Sequence, residues 1–427
     1  MSNVAPMSKR RRSKPTAAPV ADWRKDLATY NGRILGDERN VITALRVAPT
    51  LSGLLRFNEF AQRVEFTRAP PWREVKTGAA WTDEDDTALL AWLQSYDLAV
   101  RTRGTVAESV ALVAREHVVH PVRAYLEGLT WDGEPRLQLW LADYLNANAT
   151  PVYLAAIGRK FLVSAVARIM QPGCQVDHTL VLEAPQGAGK SRTARALAVH
   201  PEWFTDDMPD VHSKDAALQL CGRWIIELAE LAALRRSEIE GMKAFLSRPT
   251  DVYRPPYARR ALAVPRQSVF LATTNEALYL RDPTGNRRFW PVSCGTIELE
   301  RLEADRDQLW AEAVTAYRAG ETWHLSTEEA TLATDEQRER VLVSELEADV
   351  TEYVAQVQSR GEREISVREL LTHALGLNPD QPDFAERAGR LGPQVAQALH
   401  RAGWAKVKTI GRGPTRRTLY APVHRGS

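Results

Sequence analysis

The segment EAPQGAGKSRTARALA, residues 183–198, sets Lys190 and Ser191 directly behind two glycines, Gly187 and Gly189. Loops of this kind turn backbone N–H groups inward around an anion, and the helix that follows aims its positive end at the same point. APQGAGKS fits G-x-x-x-x-G-K-[ST] except that Ala184 stands where the first glycine belongs. In that pattern Pro185, Gln186, Gly187, Ala188, Gly189, Lys190, Ser191 and Arg192 hold the phosphates of a nucleotide such as ATP. Lys190 would reach the β- and γ-phosphates and Ser191 would ligate Mg²⁺. Alanine at position 184 is compatible with this chemistry where the backbone needs no positive φ.

Further polar residues end the apolar runs that follow. RWIIELAEL carries Glu227 and Glu230. A carboxylate at a strand tip beside a phosphate loop can hold Mg²⁺ through water, and a second can polarise an attacking water. Which acid takes which role stays open, because two residues separate them. SVFLATTN ends in Asn275, whose amide could orient water beside the γ-phosphate. Arg287 and Arg288, in GNRRFWPV, could offer a neighbouring subunit an arginine finger, without a choice between them. Taken singly, each of these is also an ordinary surface group of a turn; their order behind the loop favours the chemical reading.

Between the acidic run and Asn275 lies a stretch rich in bases. Arg235, Arg236, Lys243, Arg248, Arg254, Arg259 and Arg260 leave residues 235–260 with a net charge of +4, and Tyr253 and Tyr257 interleave with them around Pro255-Pro256. Cations and aromatics together suit single-strand binding, by backbone neutralisation and base stacking. A charge run is more often a solvated face, and only its place between two site-bearing strands points to DNA.

The elements that must position these residues are legible as changes of pattern. Residues 22–173 read as a mainly helical region, with Thr82 capping TDEDDTALLAWLQSYDL and Trp131-Asp132-Gly133 as a turn between helices. The acids after Thr82 read as a helix terminus answering its dipole rather than a metal site. From 174 to 335, HTLVLEA, RWIIELAEL, QSVFLATTN and RRFWPVS alternate with helices or loops, which predicts an α/β core with a mainly parallel sheet. Residues 340–427 read as two helices and a hairpin about Gly411-Arg412-Gly413, the order of a winged helix. Its hairpin bears Lys406, Lys408, Arg412, Arg416 and Arg417, for duplex DNA or for packing on a neighbouring subunit. Residues 1–21, with a basic run from Lys9 to Lys14, read as a disordered arm. The whole chain of 427 residues carries a net charge of only +2, so its composition names no partner. Cys174, Cys221 and Cys294 have no paired spacing, no membrane span is evident, and a cytoplasmic protein is expected.

The segments WDGEPRL, VLEAPQGAGKS, WFTDDMP, SKDAALQL, WIIELAEL, MKAFLSR, DVYRPPYARR, ATTN and GNRRFWPV together resemble the virulence-associated protein E family. These are P-loop ATPases of phages and mobile elements, similar to superfamily 3 helicases of the AAA+ group. The resemblance implies an AAA+-like core with ATP and Mg²⁺ as cofactors, a homo-hexameric ring, and single-stranded or forked DNA as partner. It would set Lys190 and Ser191 in the Walker A element, Glu227 and Glu230 in Walker B, Asn275 at sensor 1, Arg287 or Arg288 at the finger, and Lys243 with the following basic loop at a DNA-contacting hairpin. Ala184 departs from the family's usual glycine. No metal-binding acid constellation precedes residue 120, so priming would need a separate primase or initiator. The expectation is therefore an ATP-dependent DNA helicase in phage or mobile-element replication that translocates on single-stranded DNA in a bacterial host. The alternatives are a DNA-binding ATPase switch or initiator without processive unwinding, a small-molecule phosphotransferase, and an inactive scaffold.

Overall fold

The computed structural model describes residues 22–423 apart from 209, 212, 214–215, 232–235, 255–259, 281–285, 342–344, 383 and 411–416; for 236–240, 345 and 417 it describes the backbone alone. The expected arm 1–21, Arg235, Pro255-Pro256, Tyr257, Arg259, the glycine turn at 411–413 and Arg416 lie outside the described residues.

The N-terminal region begins with a short hairpin, β1 (Thr29–Tyr30) and β2 (Arg33–Ile34), then α1 (Glu38–Val47), β3 (Leu55–Asn58), β4 (Arg63–Phe66), α2 (Asp83–Ser95), α3 (Arg103–Ala114) and β5 (Val118–Val119). Thr82 starts α2 in a capping box with Asp85, as expected, and Asp85 is held by Arg73 and by the Trp72 indole at 3.0 Å. The mainly helical reading of this region holds, and the structure adds a small sheet to it. β4, β3 and β5 form a three-stranded sheet, antiparallel between β3 and β4 and parallel between β3 and β5, that closes a core of its own with α1, α2 and α3. Strands of two to four residues are too short to show alternation.

Three helices lead into the middle of the chain: α4 (Pro121–Gly128), α5 (Trp140–Leu145) and α6 (Pro151–Met170). Then follow β6 (Thr179–Glu183), α7 (Lys190–Leu197), β7 (Phe204–Thr205), α8 (Ala216–Gln219), β8 (Ile225–Leu228), α9 (Arg236–Leu246), β9 (Thr250–Tyr253), β10 (Leu262–Pro265), β11 (Val269–Thr274), β12 (Phe289–Ser293), α10 (Leu299–Arg318) and α11 (Thr327–Glu339). β12, β6, β11, β8 and β7 lie side by side in that order, all parallel. This is the mixed α/β fold with a parallel sheet that the alternating pattern predicts.

The sheet is covered on both faces, which is why its strands read as continuous apolar runs. Leu180 and Leu182 of β6 pack into a core with α6, α7 and α10, while Val181 faces the opposite core with Phe245, Phe270 and Met242. β9 and β10 stand apart as an antiparallel hairpin inserted between β8 and β11. The C-terminal module comprises α12 (Glu345–Ser359), β13 (Ile365–Ser366), α13 (Val367–His373), α14 (Phe384–Arg401), β14 (Trp404–Ile410) and β15 (Arg417–Pro422). β13, β15 and β14 make an antiparallel sheet against a core containing Leu370, Leu399 and Trp404. Among the described residues no helix is long and apolar enough to cross a membrane.

Candidate active site

A cleft of about 330 Å³ opens at the C-terminal edge of the parallel sheet, lined by residues of the glycine-rich loop, the turn after β8 and the end of β11. That edge is where ligands bind in open α/β sheets, because loops and helix N-termini converge there. β6 ends at Glu183, and the chain turns through Pro185, Gln186 and Gly187, all exposed, into α7. Gly187 and Gly189 take φ of +83° and +101°, conformations that side-chain-bearing residues adopt at a cost. Ala184 is not among the positive-φ residues, so the missing first glycine is no conformational defect. Gly189 caps α7 without a side-chain acceptor, which leaves the first N–H groups of that helix facing the cleft.

Lys190 is only 7% exposed. Its Nζ donates to the carbonyls of Ala184 at 2.6 Å and Pro185 at 3.0 Å, and to Asn275 Oδ1 at 2.8 Å. Burial pulls its ammonium below the ordinary lysine range, with Cys294 and Glu227 acting in the opposite sense. Asn275, expected from the end of an apolar run, therefore stands beside the loop lysine. β11 lies between β6 and β8, pairing Thr274 with Glu183 on one side and Leu271 with Glu227 on the other.

Glu227 is fully buried in β8. Its Oε1 accepts from Ser191 Oγ at 2.6 Å and from Thr273 Oγ1 at 2.8 Å, whereas its Oε2 is buried with no hydrogen-bond partner. An unpartnered carboxylate oxygen next to a serine hydroxyl is a hard-oxygen arrangement that fits Mg²⁺, which takes few protein ligands beside phosphate and water. Glu230 lines the same cleft on the exposed side, at a φ of +53°. A non-glycine residue in that conformation is held there by its surroundings. The two acids therefore differ: Glu227 is enclosed with the serine, and Glu230 faces solvent.

Arg287 and Arg288 do not join the cleft. They form a short 3₁₀ turn just before β12, whose Phe289 pairs with Thr179 at the opposite edge of the sheet, roughly 13 Å along β6 from Glu183. Arg288 Nε donates to Ser247 Oγ at 3.1 Å, while Arg287 is exposed.

The basic insertion is only partly as expected. Arg248, Arg254 and Arg260 are exposed, the last two at the far end of the β9–β10 hairpin. Lys243 is a correction: it is 4% exposed and is not presented at the surface. Tyr253 is a second one, being 5% exposed with its hydroxyl 3.3 Å from Cys221 Sγ, so its ring offers no face to a base. The hairpin is anchored instead by Arg266, whose guanidinium pairs with Asp251 and lies 4.4 Å from the Phe245 ring centroid.

The sequence reading also passed over a buried triad at the start of the loop. Glu183 Oε1 accepts from Tyr279 Oη at 2.8 Å and from Arg340 Nε at 3.0 Å. Glutamate before the loop is visible in the sequence, but its partners, ~100 and ~160 residues away, carry no local signal.

A family model described as the virulence-associated protein E-like domain matches residues 126–342, a span that holds the whole sheet and cleft. No curated protein matches the chain. Among solved structures, the apo structure of the NrS-1 C-terminal region is similar over 86% of this chain and 95% of that one, at 11% identity and a TM-score of 0.44. The A form apo structure of the same region covers 90% of this chain and 100% of that one, at 9% identity and a TM-score of 0.43.

Proposed function

The chain belongs to the virulence-associated protein E-like domain family, and from that premise we propose that it is an ATP-dependent DNA helicase acting in the replication of a phage or mobile genetic element. The observation that carries the proposal is the convergence of Lys190, Asn275 and Ser191 in one cleft at the C-terminal edge of the sheet, with the buried Glu227 hydrogen-bonded to Ser191 behind it.

In this reading the α7 N-terminus and the N–H groups around Gly187 and Gly189 seat the phosphates of ATP, and Lys190 swings from the Ala184 and Pro185 carbonyls onto the β- and γ-oxygens. Ser191 and Glu227 would hold Mg²⁺, which would supply neutralisation of the phosphate charge. Asn275 orients the attacking water from the side of Lys190. Glu230, on the open side of the cleft, is placed to accept a proton from that water, which separates the roles of the two acids. The exposed Arg287 is the better candidate for a finger reaching a neighbouring subunit in a hexameric ring, since Arg288 is engaged with Ser247 of its own chain. Among the described residues, Arg254 and Arg260 are the basic groups the hairpin presents to single-stranded DNA, and the C-terminal module, in winged-helix order, supplies a further basic surface with Lys406 and Lys408.

A second reading is favoured by the burial of Lys243 and Tyr253, which shrinks the DNA-contacting surface of the insertion. It keeps the ATPase and drops the translocation, leaving a DNA-bound switch or initiator. Strand displacement on a forked substrate separates the two. A helicase unwinds it with ATP and Mg²⁺, and the double variant Arg254→Ala/Arg260→Ala unwinds several-fold more slowly with its DNA-independent hydrolysis unchanged. ATP turnover without any displacement supports the switch and contradicts the helicase.

A further inference from the structure

β6 ends in a carboxylate that is buried against two partners from distant parts of the chain. Glu183 is 9% exposed, Tyr279 1% and Arg340 8%. Tyr279 donates its hydroxyl to Glu183 Oε1 at 2.8 Å, and Arg340 donates Nε to Oε1 at 3.0 Å and a terminal nitrogen to Oε2 at 3.3 Å. The backbone of Glu183 is held as well, its carbonyl accepting from Cys294 N at 2.8 Å. The residue before the glycine-rich loop is thus fixed from three sides, immediately ahead of the two carbonyls that receive the Lys190 ammonium.

Arg340 also holds the segment that follows Asn275. Its carbonyl accepts from Tyr279 N at 3.1 Å and Leu280 N at 3.0 Å, and Leu280 pairs with Val341 in a parallel bridge. Tyr279 lies on the segment that runs on from Asn275. The arginine is further engaged by Glu336 at 2.6 Å and Glu339 at 3.1 Å. Burial opposes its charge, and the Glu183 carboxylate more than offsets that, keeping the guanidinium protonated. Burial and the same carboxylate push the Tyr279 phenol well above its ordinary range, so it stays a hydrogen-bond donor. Neither residue lines the cleft.

We propose that Arg340 and Tyr279 are positioning residues for the nucleotide cleft, fixing through Glu183 the start of the loop whose carbonyls seat Lys190. The proposal rests on the reading of the cleft as an ATP site. It makes the C-terminal end of α11, just before the C-terminal module, part of the nucleotide machinery. It also gives a physical reason why alanine suffices at position 184, because the residue just before it is clamped and the loop's entry needs no glycine's freedom.

Removing the Arg340 side chain takes the charged partner from the Glu183 carboxylate, which keeps the Tyr279 hydroxyl, and leaves the backbone bonds from Tyr279 and Leu280 to the Arg340 carbonyl. The loop therefore loosens while the Asn275 segment stays. The expected signature is a split: KM for ATP and the Kd of a fluorescent ATP analogue rise about tenfold, while kcat at saturating ATP stays within about twofold. Arg340→Met, Tyr279→Phe and the double variant Glu183→Gln/Arg340→Met are to be compared with wild type, with thermal melting as the check on folding. Arg340→Met strands a buried carboxylate. The double variant removes that charge, and Tyr279→Phe deletes one hydroxyl, so folded proteins remain for the comparison. Weakened binding with near-normal kcat in folded variants supports the positioning role. Unchanged KM and Kd in folded variants overturn it and leave the ATP site intact. Failure of the wild-type protein to bind the analogue overturns both.

Discussion

Ala184 and Gly189 sit at the two ends of one loop and make opposite demands on the backbone. Gly189 holds φ at +101°, and a β-carbon there would meet Ile297 only at ordinary contact distances near 3.8 Å, so the penalty for a side chain is conformational rather than steric. Gly189→Ala is expected to cost about 1–2 kcal/mol in the loop's native conformation, read as a rise of tenfold or more in the KM for ATP. Ala184→Gly, which restores the usual residue, should change that KM by less than twofold. The reverse ranking would mean that position 184 is the weak point after all. Glu227 carries a sharper expectation. Glu227→Gln keeps the acceptor for Ser191 and Thr273 but removes the charge of the unpartnered oxygen, so hydrolysis should fall by a factor on the order of 10² or more while Mg²⁺-free nucleotide binding, followed by analogue fluorescence, is retained. Hydrolysis within a few-fold of wild type would contradict its assignment.

At the scale of elements, the legible features were those with strong local signals. The apolar runs bounding β6, β8, β11 and β12 are long enough to show, and the loop announces itself by its glycines. The three-stranded sheet of the N-terminal region was missed because its strands are too short for period-two alternation to appear. The burial of Lys243 and Tyr253 was illegible for another reason: both lie among bases that do reach the surface, and only tertiary packing distinguishes them. The Glu183 triad joins residues far apart in sequence, which no single-sequence pattern encodes. β6 also yields a pH expectation. His178, just before its first residue, stacks on Trp290 with ring centroids 3.8 Å apart, and burial pushes its imidazole down to about 3, with cationic neighbours reinforcing the shift. The folded state holds it neutral, whereas the unfolded chain takes up a proton below the ordinary value near 6.5. Its contribution to stability is complete above pH 6.5 and is lost as pH falls toward 3, by up to about 1.4 kcal/mol per pH unit. The melting temperature should therefore drop between pH 7 and pH 5, and by less in His178→Phe. Equal drops in the two proteins would refute this.

For the whole molecule, the finger and the loop lie at opposite edges of one sheet, so a single chain does not complete the proposed site. In the proposed function a ring would supply the missing partner, setting one subunit's Arg287 against its neighbour's cleft. Arg287→Ala and Lys190→Ala proteins should each be inactive as ATPases. Mixed together, they should regain activity, because some interfaces then combine an intact loop with an intact arginine. No recovery, in variants that still co-assemble by light scattering, would remove Arg287 from the site. The hairpin between β8 and β11, with Arg254 and Arg260 at its far end, links the cleft to DNA in the same scheme. β8 leads to the hairpin by way of α9, and three residues join β10 to β11, the strand that ends beside Asn275.

The central claim is that this cleft hydrolyses ATP and that DNA drives it. Steady-state hydrolysis by wild type and Lys190→Ala, each with and without single-stranded DNA, tests it most directly. The account predicts turnover in the wild type that rises several-fold with DNA, and a loss of orders of magnitude in Lys190→Ala under both conditions, because Lys190 supplies charge to the transferring phosphate. Wild-type hydrolysis indifferent to DNA, or turnover that survives the loss of Lys190, would contradict it.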